Sequence, residues 1–475
     1  MDYVATPRSI RLNDVLKKNV SLSPNNYSRV VVSENSSKAL RSLLSSPPLN
    51  GEEVGSAAYI PSSNKYFIRT KALQSSSLLL NQTNDGIIPI LPSSFKLHDL
   101  KEGDIIISKD SNIGEVIILD KDYPSHMLSN GLYRLRIKED KLYILALIKH
   151  PFFKTQLGFM ISKGATIKHA KTLFLDCLIP FPSSDRERIM SAVEDNTKKI
   201  IQYEAKLREL ELEIERTLDA ELQFPDKLRS FNYSYPRIGN LHQLNRIDAG
   251  FYGKDFMAMQ WLIEGHDNGA GSLKDWGYSI TRGQNLQISA IGKSIYSNDF
   301  KEGFYKLARP VNLSDFGTVE KYEYLGNSNN LSVISEGDIV FSAEGSVGKC
   351  VMFTDPGERV ITNIHGIVLN KEDHNTLESG YVCSFLRYLR KRGVLDFISV
   401  GGQGGSLAMQ YFGVIKIPYL NEKTVEKVSK SYYNPEAAPF EEWGIVQLDT
   451  KIKQLNQDNS RLISEVISQH KTAQG

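Results

Sequence analysis

Two distant stretches of this chain carry one hydrophobic rhythm. Val193, Asn196, Ile200, Tyr203, Leu207, Leu210 and Ile214 are spaced alternately three and four residues apart. Ile445, Leu448, Ile452, Leu455, Asn459, Leu462 and Val466 repeat the pattern position for position, 252 residues later. Such spacing is the a/d seam of a helix that packs on another helix, with Lys, Arg and Glu on the remaining faces. Neither seam reaches four heptads, so the economical partner for each helix is the other. The chain therefore reads as a globular unit, a helix, a second globular unit and a second helix, a tandem duplication.

The spacing divides the chain into residues 1–183, a helix over 184–222, a linker over 223–245, a second unit over 246–437 and a second helix over 438–475. A chain of 475 residues with 41% hydrophobic and 24% charged residues can hold two or three domains with sizeable cores. No apolar run approaches the ~20 residues that span a bilayer, and the first residues lack the apolar core of a signal peptide. Cys177, Cys350 and Cys383 are far apart, without CxxC spacing, which suits a reducing cytosol and argues against a disulfide framework or zinc knuckle. The net charge of +2 hides an uneven distribution: residues 184–222 carry −4 and the rest of the chain +6. That excess is modest for a protein held to nucleic acid through phosphates alone.

Within the units, order recurs. Residues 36–44 read as a short helix, 66–73 as a strand opening into a loop, and 100–119 as a hairpin turned by Lys109-Asp110-Ser111-Asn112. A strand at 132–137, one amphipathic helix over 143–157 and a strand ending Ile179-Pro180 follow. In the second unit Glu336, Gly337, Asp338 and Gly348 correspond to Glu102, Gly103, Asp104 and Gly114, 234 residues on, and Ile417-Pro418 ends the last strand. Scaffold positions recur while the loop tips differ: Ala343-Glu344-Gly345-Ser346 replaces Lys109–Asn112, and Gly401–Gly405 replaces Lys163–Thr166. Divergent loops on a duplicated scaffold suggest two sites of one kind that read different things.

No catalytic constellation emerges. Asn434-Pro435-Glu436 lacks the aromatic of a methyltransferase catalytic segment, and the glycines at 401–405 have no following Gly-Lys-Ser/Thr for a phosphate loop. Asp122 with Glu139-Asp140-Lys141 has a loose nuclease spacing, but its counterpart reads Lys371-Glu372-Asp373-His374, and a solvated turn explains it better. Gly345-Ser346-Val347-Gly348 places its serine one position too early for a nucleophile elbow. The nine His show no ligand spacing. Asn196 and Asn459 either fix the register of the helix pair or lie where the seam meets solvent or another protein.

With the duplicated order in view, the chain resembles the specificity subunit of a type I restriction-modification system over residues 20–472. The likeness rests on the paired Glu-Gly-Asp-Ile hairpins with their returning glycines, the Ile-Pro strand ends, the in-register helices and Arg246-Ile247-Asp248-Ala249-Gly250-Phe251-Tyr252. It implies an α+β fold of two pseudo-repeated mixed α/β target-recognition domains joined by two long antiparallel coiled-coil helices. Each domain would read one half of a bipartite sequence in double-stranded DNA. The helices would set the gap: about 39 residues at ~1.5 Å rise give roughly 58 Å, about 17 base pairs at ~3.4 Å each.

The same resemblance implies no enzymatic activity and no cofactor in this chain. It implies docking of two methyltransferase subunits, which bind S-adenosylmethionine, around Lys198, Lys199, Lys206 and Arg208. A restriction subunit using ATP and Mg, and a bacterial or archaeal cytoplasmic, nucleoid-associated setting, complete the expectation. The alternative is a duplicated scaffold of another phage-defence system that recruits a partner without specifying methylation. Base reading falls to loop-tip side chains able to match base-edge donors and acceptors. These are Arg69, Lys71, Lys109, Ser111, Asn112, Lys163, Lys168 and His169 in the first domain, and Arg309, Ser346, Lys349, Gln403, Ser406 and Gln410 in the second.

Overall fold

The structure, a computed structural model, describes residues 3–17, 27–32, 36–82, 85–160, 171–354, 359–401, 405–437 and 439–472. The chain forms two compact units, residues 1–206 with 450–475, and residues 207–449. Each long helix contributes to both: Arg186–Glu221 passes from the first unit to the second at Leu207, and Ile445–Thr472 passes back at Thr450.

In the first unit an antiparallel four-stranded sheet runs Leu49–Asn50, Leu132–Leu135, Ile105–Ser108, Val116–Ile118. Tyr66–Ile68 lies between Ile87–Pro89, antiparallel to it, and His126–Leu128, parallel to it. Leu178–Pro180 pairs with Ser37–Ala39. The second unit has matching strand orders: Ser279–Arg282, Gly366–Asn370, Ile339–Ser342, Cys350–Met352 in one sheet, and Lys416–Pro418 on Ala270–Ser272 in another. Its third sheet runs Ile295–Ser297, Glu323–Gly326, Tyr305–Leu307, Val360–Ile361, the last pair again parallel.

The recurrence extends to single bonds. Leu132 faces Ser108 in one sheet and Gly366 faces Ser342 in the other. The Gly114 amide donates to the Ser108 carbonyl, as the Gly348 amide does to Ser342, each at 2.9 Å. These glycines have φ of +80° and +86°, and a Cβ would press on Leu157 or Leu395, so no other residue suits the position. Asp104 and Asp338 accept the amides of Lys101 and Ser335 at 2.9 and 2.8 Å, so this carboxylate holds a turn. Beneath the hairpins, Leu100, Ile106, Ile117 and Leu119 occupy the places taken by Ile334, Val340, Val351 and Phe353. Burial of each such side chain is worth about 1.5–3 kcal/mol.

Three local expectations change. Residues 36–44 contain strand Ser37–Ala39 and a 3-10 turn, Leu40–Leu43, because pairing with Leu178–Pro180 outweighs the local helical pattern. The helix expected at 143–157 is two, Lys141–Lys149 and Pro151–Met160, since Pro151 disfavours helical geometry at His150. The first of these buries Tyr143 through Ile148 continuously, so it is a core helix without a solvated face.

The seam of the first long helix is also wider than its apolar spacing. Val193, Ile200, Leu207, Leu210 and Ile214 are buried, while Asn196 and Tyr203 are half-buried. Thr197 and Glu204, one position further on, are buried instead. Within the first unit the two long helices run antiparallel: Arg188 meets Glu465 at 3.2 Å and Asn196 meets Asn459 at 3.0 Å. Glu204 leaves the seam to serve the globular part. Its carboxylate accepts the amides of Leu78 and Leu79 at 3.0–3.1 Å and the Ser77 hydroxyl at 2.7 Å.

In the second unit the acidic excess of the same helix meets a basic helix, Thr376–Lys391. Glu211 pairs with Arg387, Glu215 with Lys391, and Asp219 with Arg392 at 2.6 Å and with the Tyr388 hydroxyl at 2.7 Å. Part of the positive charge counted outside the helices is thus consumed internally.

Candidate functional site

In each unit several loops meet at the hairpin tip. After Tyr66–Ile68 the first unit turns through Thr70–Ala72, and the Asn112 amide nitrogen donates to the Leu73 and Thr70 carbonyls at 3.2 and 3.5 Å. The Lys109 amide donates to the Gly131 carbonyl at 2.9 Å. A Cβ on Gly131 would stand 2.7 Å from Thr70 Cγ2, so glycine permits the close approach.

Around this junction, Lys109 Nζ lies 3.3 Å from Asn130 Oδ1 and 5.1 Å from the centre of the Tyr133 ring. Ser111 is exposed at φ +58°. Lys71 pairs with Asp85 at 3.1 Å, both exposed. Arg69, half-buried, forms no side-chain hydrogen bond or ion pair among the described residues. Arg69, Lys71, Lys109, Ser111 and Asn112 therefore share one loop cluster. Lys163, Lys168 and His169 lie outside the described residues, as does Gln403.

In the second unit the Ala343 amide donates to the His365 carbonyl at 3.2 Å, the counterpart of Lys109 and Gly131. The glycine-rich segment closes on this tip: Gly345 donates to the Gly405 carbonyl at 3.3 Å, and Ser406 exchanges two backbone hydrogen bonds with Val400 at 2.8 Å. Ser346 is exposed on a concavity of about 510 Å³ shared with Arg390, Asp396 and Ser399. Gln410 is exposed on the turn Met409–Val414. Lys349 is less available. Its ammonium donates to the Leu313 carbonyl at 3.0 Å and lies 3.5 Å from Asp315, holding a loop in place.

Arg309 sits in a separate concavity of about 380 Å³ with Tyr296, Ser297, Asn298 and Glu323. Its Nε and Nη2 both lie 3.0 Å from Glu323 Oε2. Sequence reading missed Glu323, Tyr296 and Arg390; Glu323 lies within a strand, where a single carboxylate carries no pattern.

Other sequence signals resolve into structure. Arg246 is 4% exposed, bound to Asp248 at 2.7 Å and to the Ile398 carbonyl at 2.6 Å, and it packs on Phe251 and Tyr411. The Arg246 guanidinium holds the Asp248 carboxyl below the usual carboxylate range. The motif thus anchors the start of the second domain to residues 397–398. Asp122 is held by Lys101 and the Glu102 amide at 3.1 and 3.0 Å, and Asp140 is the residue from which helix Lys141–Lys149 starts. Cys177, Cys350 and Cys383 are free and buried. Among the described residues no group of three His, Cys, Asp or Glu could hold a metal ion, and no helix is long and apolar enough to cross a membrane. What both clusters present is a display of donors and acceptors, suited to recognition.

No family model matches the chain, and no curated protein matches it. Among solved structures it is similar to the S subunit of a type I restriction-modification system from M. genitalium, at 15% identity and a TM-score of 0.37, over 91% of this chain and 94% of that one. It is similar to the HsdS subunit from Thermoanaerobacter tengcongensis at 13% identity and a TM-score of 0.27, over 92% and 94% of the two chains. A structure addressing complex assembly and conformational transition of the type I restriction-modification system is similar at 14% identity and a TM-score of 0.26, over 92% and 94%.

Proposed function

We propose that this chain is a sequence-specific DNA-binding specificity subunit of a type I restriction-modification complex. The observation that carries the reading is a scaffold repeated down to single hydrogen bonds whose loop tips differ in chemistry. The turns at Gly103 and Gly114 recur 234 residues on, at Gly337 and Gly348, while a tip of long polar side chains at Lys109–Asn112 gives way to Ala343–Ser346 beside glycines. Selection for two related readers of different half-sites explains that contrast; selection for one catalytic site repeated twice does not.

On this reading the target-recognition domains span residues 1–183 and 246–437, and each reads one half of a bipartite target. The number of base pairs between the halves is a property of the long helices. Arg69, Lys71, Lys109, Ser111 and Asn112 reach the first half-site, and Arg309, Ser346, Ser406 and Gln410 the second. Lys163, Lys168 and His169 act with the first set and Gln403 with the second. Lys349 acts by holding its loop. Two methyltransferase subunits carrying S-adenosylmethionine dock near Lys198 and Lys199, which are exposed, and Lys206 and Arg208, which are half-buried. A restriction subunit supplies the ATP- and Mg-dependent step, and the chain itself catalyses nothing.

The test is selection by the full-length protein, with its methyltransferase partner, from randomised double-stranded DNA. A split motif of two constant halves around a spacer of fixed length supports the reading. A continuous motif, or none, contradicts it.

A further inference from the structure

We infer that Arg309 and Glu323 act as one reading unit for a single G·C base pair, with Glu323 a specificity-determining residue in its own right. This rests on the DNA-reading role proposed above. Strand pairing brings the two side chains together: Leu307 lies opposite Glu323, and Tyr305 opposite Leu325 and, through it, Tyr296. Arg309 follows two residues after Leu307 and spends Nε and one Nη2 hydrogen on a single oxygen, Glu323 Oε2, at 3.0 Å. Among the described residues its Nη1 hydrogens and Glu323 Oε1 stay uncommitted, and both side chains line the 380 Å³ concavity.

The charge balance decides what such a site binds. A bare Arg attracts any phosphate, whereas a paired Arg and Glu carry no net charge and repel a phosphate from the acidic side. A neutral donor-acceptor pair instead matches a dipolar base edge. In the major groove of a G·C pair, guanine O6 accepts beside cytosine N4, which donates, so a free donor next to a free acceptor matches that edge. Arg309 then donates to guanine O6 and N7, and Glu323 accepts from cytosine N4, the pairing each residue type makes best.

The remaining walls suit this. Tyr296 is half exposed, with the Arg309 guanidinium 6.0 Å from its ring centre, and Asn298 Oδ1 is occupied by Lys321 at 3.2 Å, which leaves its amide nitrogen as a donor. The first unit offers an internal contrast. Phe67 pairs with Ile88 where Leu307 pairs with Glu323, so Arg69 lacks this partner. Scaffold is kept and the fork is not, as two readers of different half-sites require.

Selection from randomised double-stranded DNA by the full-length wild type, Glu323→Gln and Arg309→Lys tests this. The expected result is a wild-type motif whose second half contains a G·C pair at which both variants lose discrimination by about tenfold, every other position and the thermal midpoint being unchanged. A uniform loss of affinity across positions, a change at an A·T pair, or an unaltered motif would overturn the assignment. A wild type that enriches no motif would instead remove the DNA-reading role itself.

Discussion

Asn196 and Asn459 hydrogen-bond to one another at 3.0 Å between the long helices, and Asn459 passes a second bond to the Thr197 hydroxyl at 3.1 Å. Asn459 is 5% exposed, so neither bond is easily replaced by water. A buried amide that must find its partner tolerates one register and penalises the others. Of the two roles open to these residues, register fixing is the one their geometry serves.

Asn459→Ala should therefore lower the unfolding free energy by about 1–3 kcal/mol, because Asn196 and Thr197 lose their partner. Asn196→Ala, at a half-buried position, should cost less. Urea unfolding of the two variants checks the order, and equal costs would argue against a buried network.

Glu204 offers a sharper case. Glu204→Ala strands two amides and the Ser77 hydroxyl in a buried site, at a cost of about 3 kcal/mol. Hydrogen exchange at Leu78 and Leu79 should accelerate far more than at Ile106 in the core. Uniform acceleration would mean that Glu204 supports the whole unit rather than one loop.

Acid should destabilise the first unit through two histidines. Burial pushes His126 and His150 down to about 4. The unfolded chain takes up these protons near the ordinary value of 6.5, while the folded chain does not until about 4. The contribution of these two residues should accordingly fall as pH drops from about 6.5 to about 4 and level off below, and the double variant His126→Gln, His150→Gln should flatten the slope over that range. An unchanged slope in the double variant would place the acid sensitivity elsewhere.

Lys71 and Lys349 should separate cleanly. Lys71 is exposed, so Lys71→Ala should leave stability unaltered yet weaken DNA binding and relax discrimination at a position of the first half-site. Lys349 holds the Leu313 carbonyl and Asp315, so Lys349→Ala should lower the melting temperature. Binding isotherms on DNA altered in the first half-site and thermal melts check both.

How much of this was legible depends on what each residue announces. Val193, Ile200, Leu207 and Ile214 mark a helix seam because apolar spacing reports burial directly. Thr197 and Glu204 are equally buried but polar, so nothing in the sequence sets them apart from the solvated face. Gly114 and Gly348 mark a turn because a positive φ excludes other residues. The loop cluster was legible only as a contrast between repeats: Asn112 stands out as a loop-tip amide, and that amide also ties the tip to Leu73. Glu323 was invisible because its meaning lies in the cross-strand position opposite Leu307. The helical pattern of 36–44 misleads for the same reason, a distant strand overriding a local pattern.

The most direct measurement of the central claim is single-molecule mapping of N6-methyladenine in the host genome, with and without this gene. The account predicts a split motif, methylated in the wild type and lost on deletion, with only its first half altered when residues 1–183 are exchanged for those of a related protein. A methylome unchanged by deletion, in cells that express the chain and its partners, would contradict it.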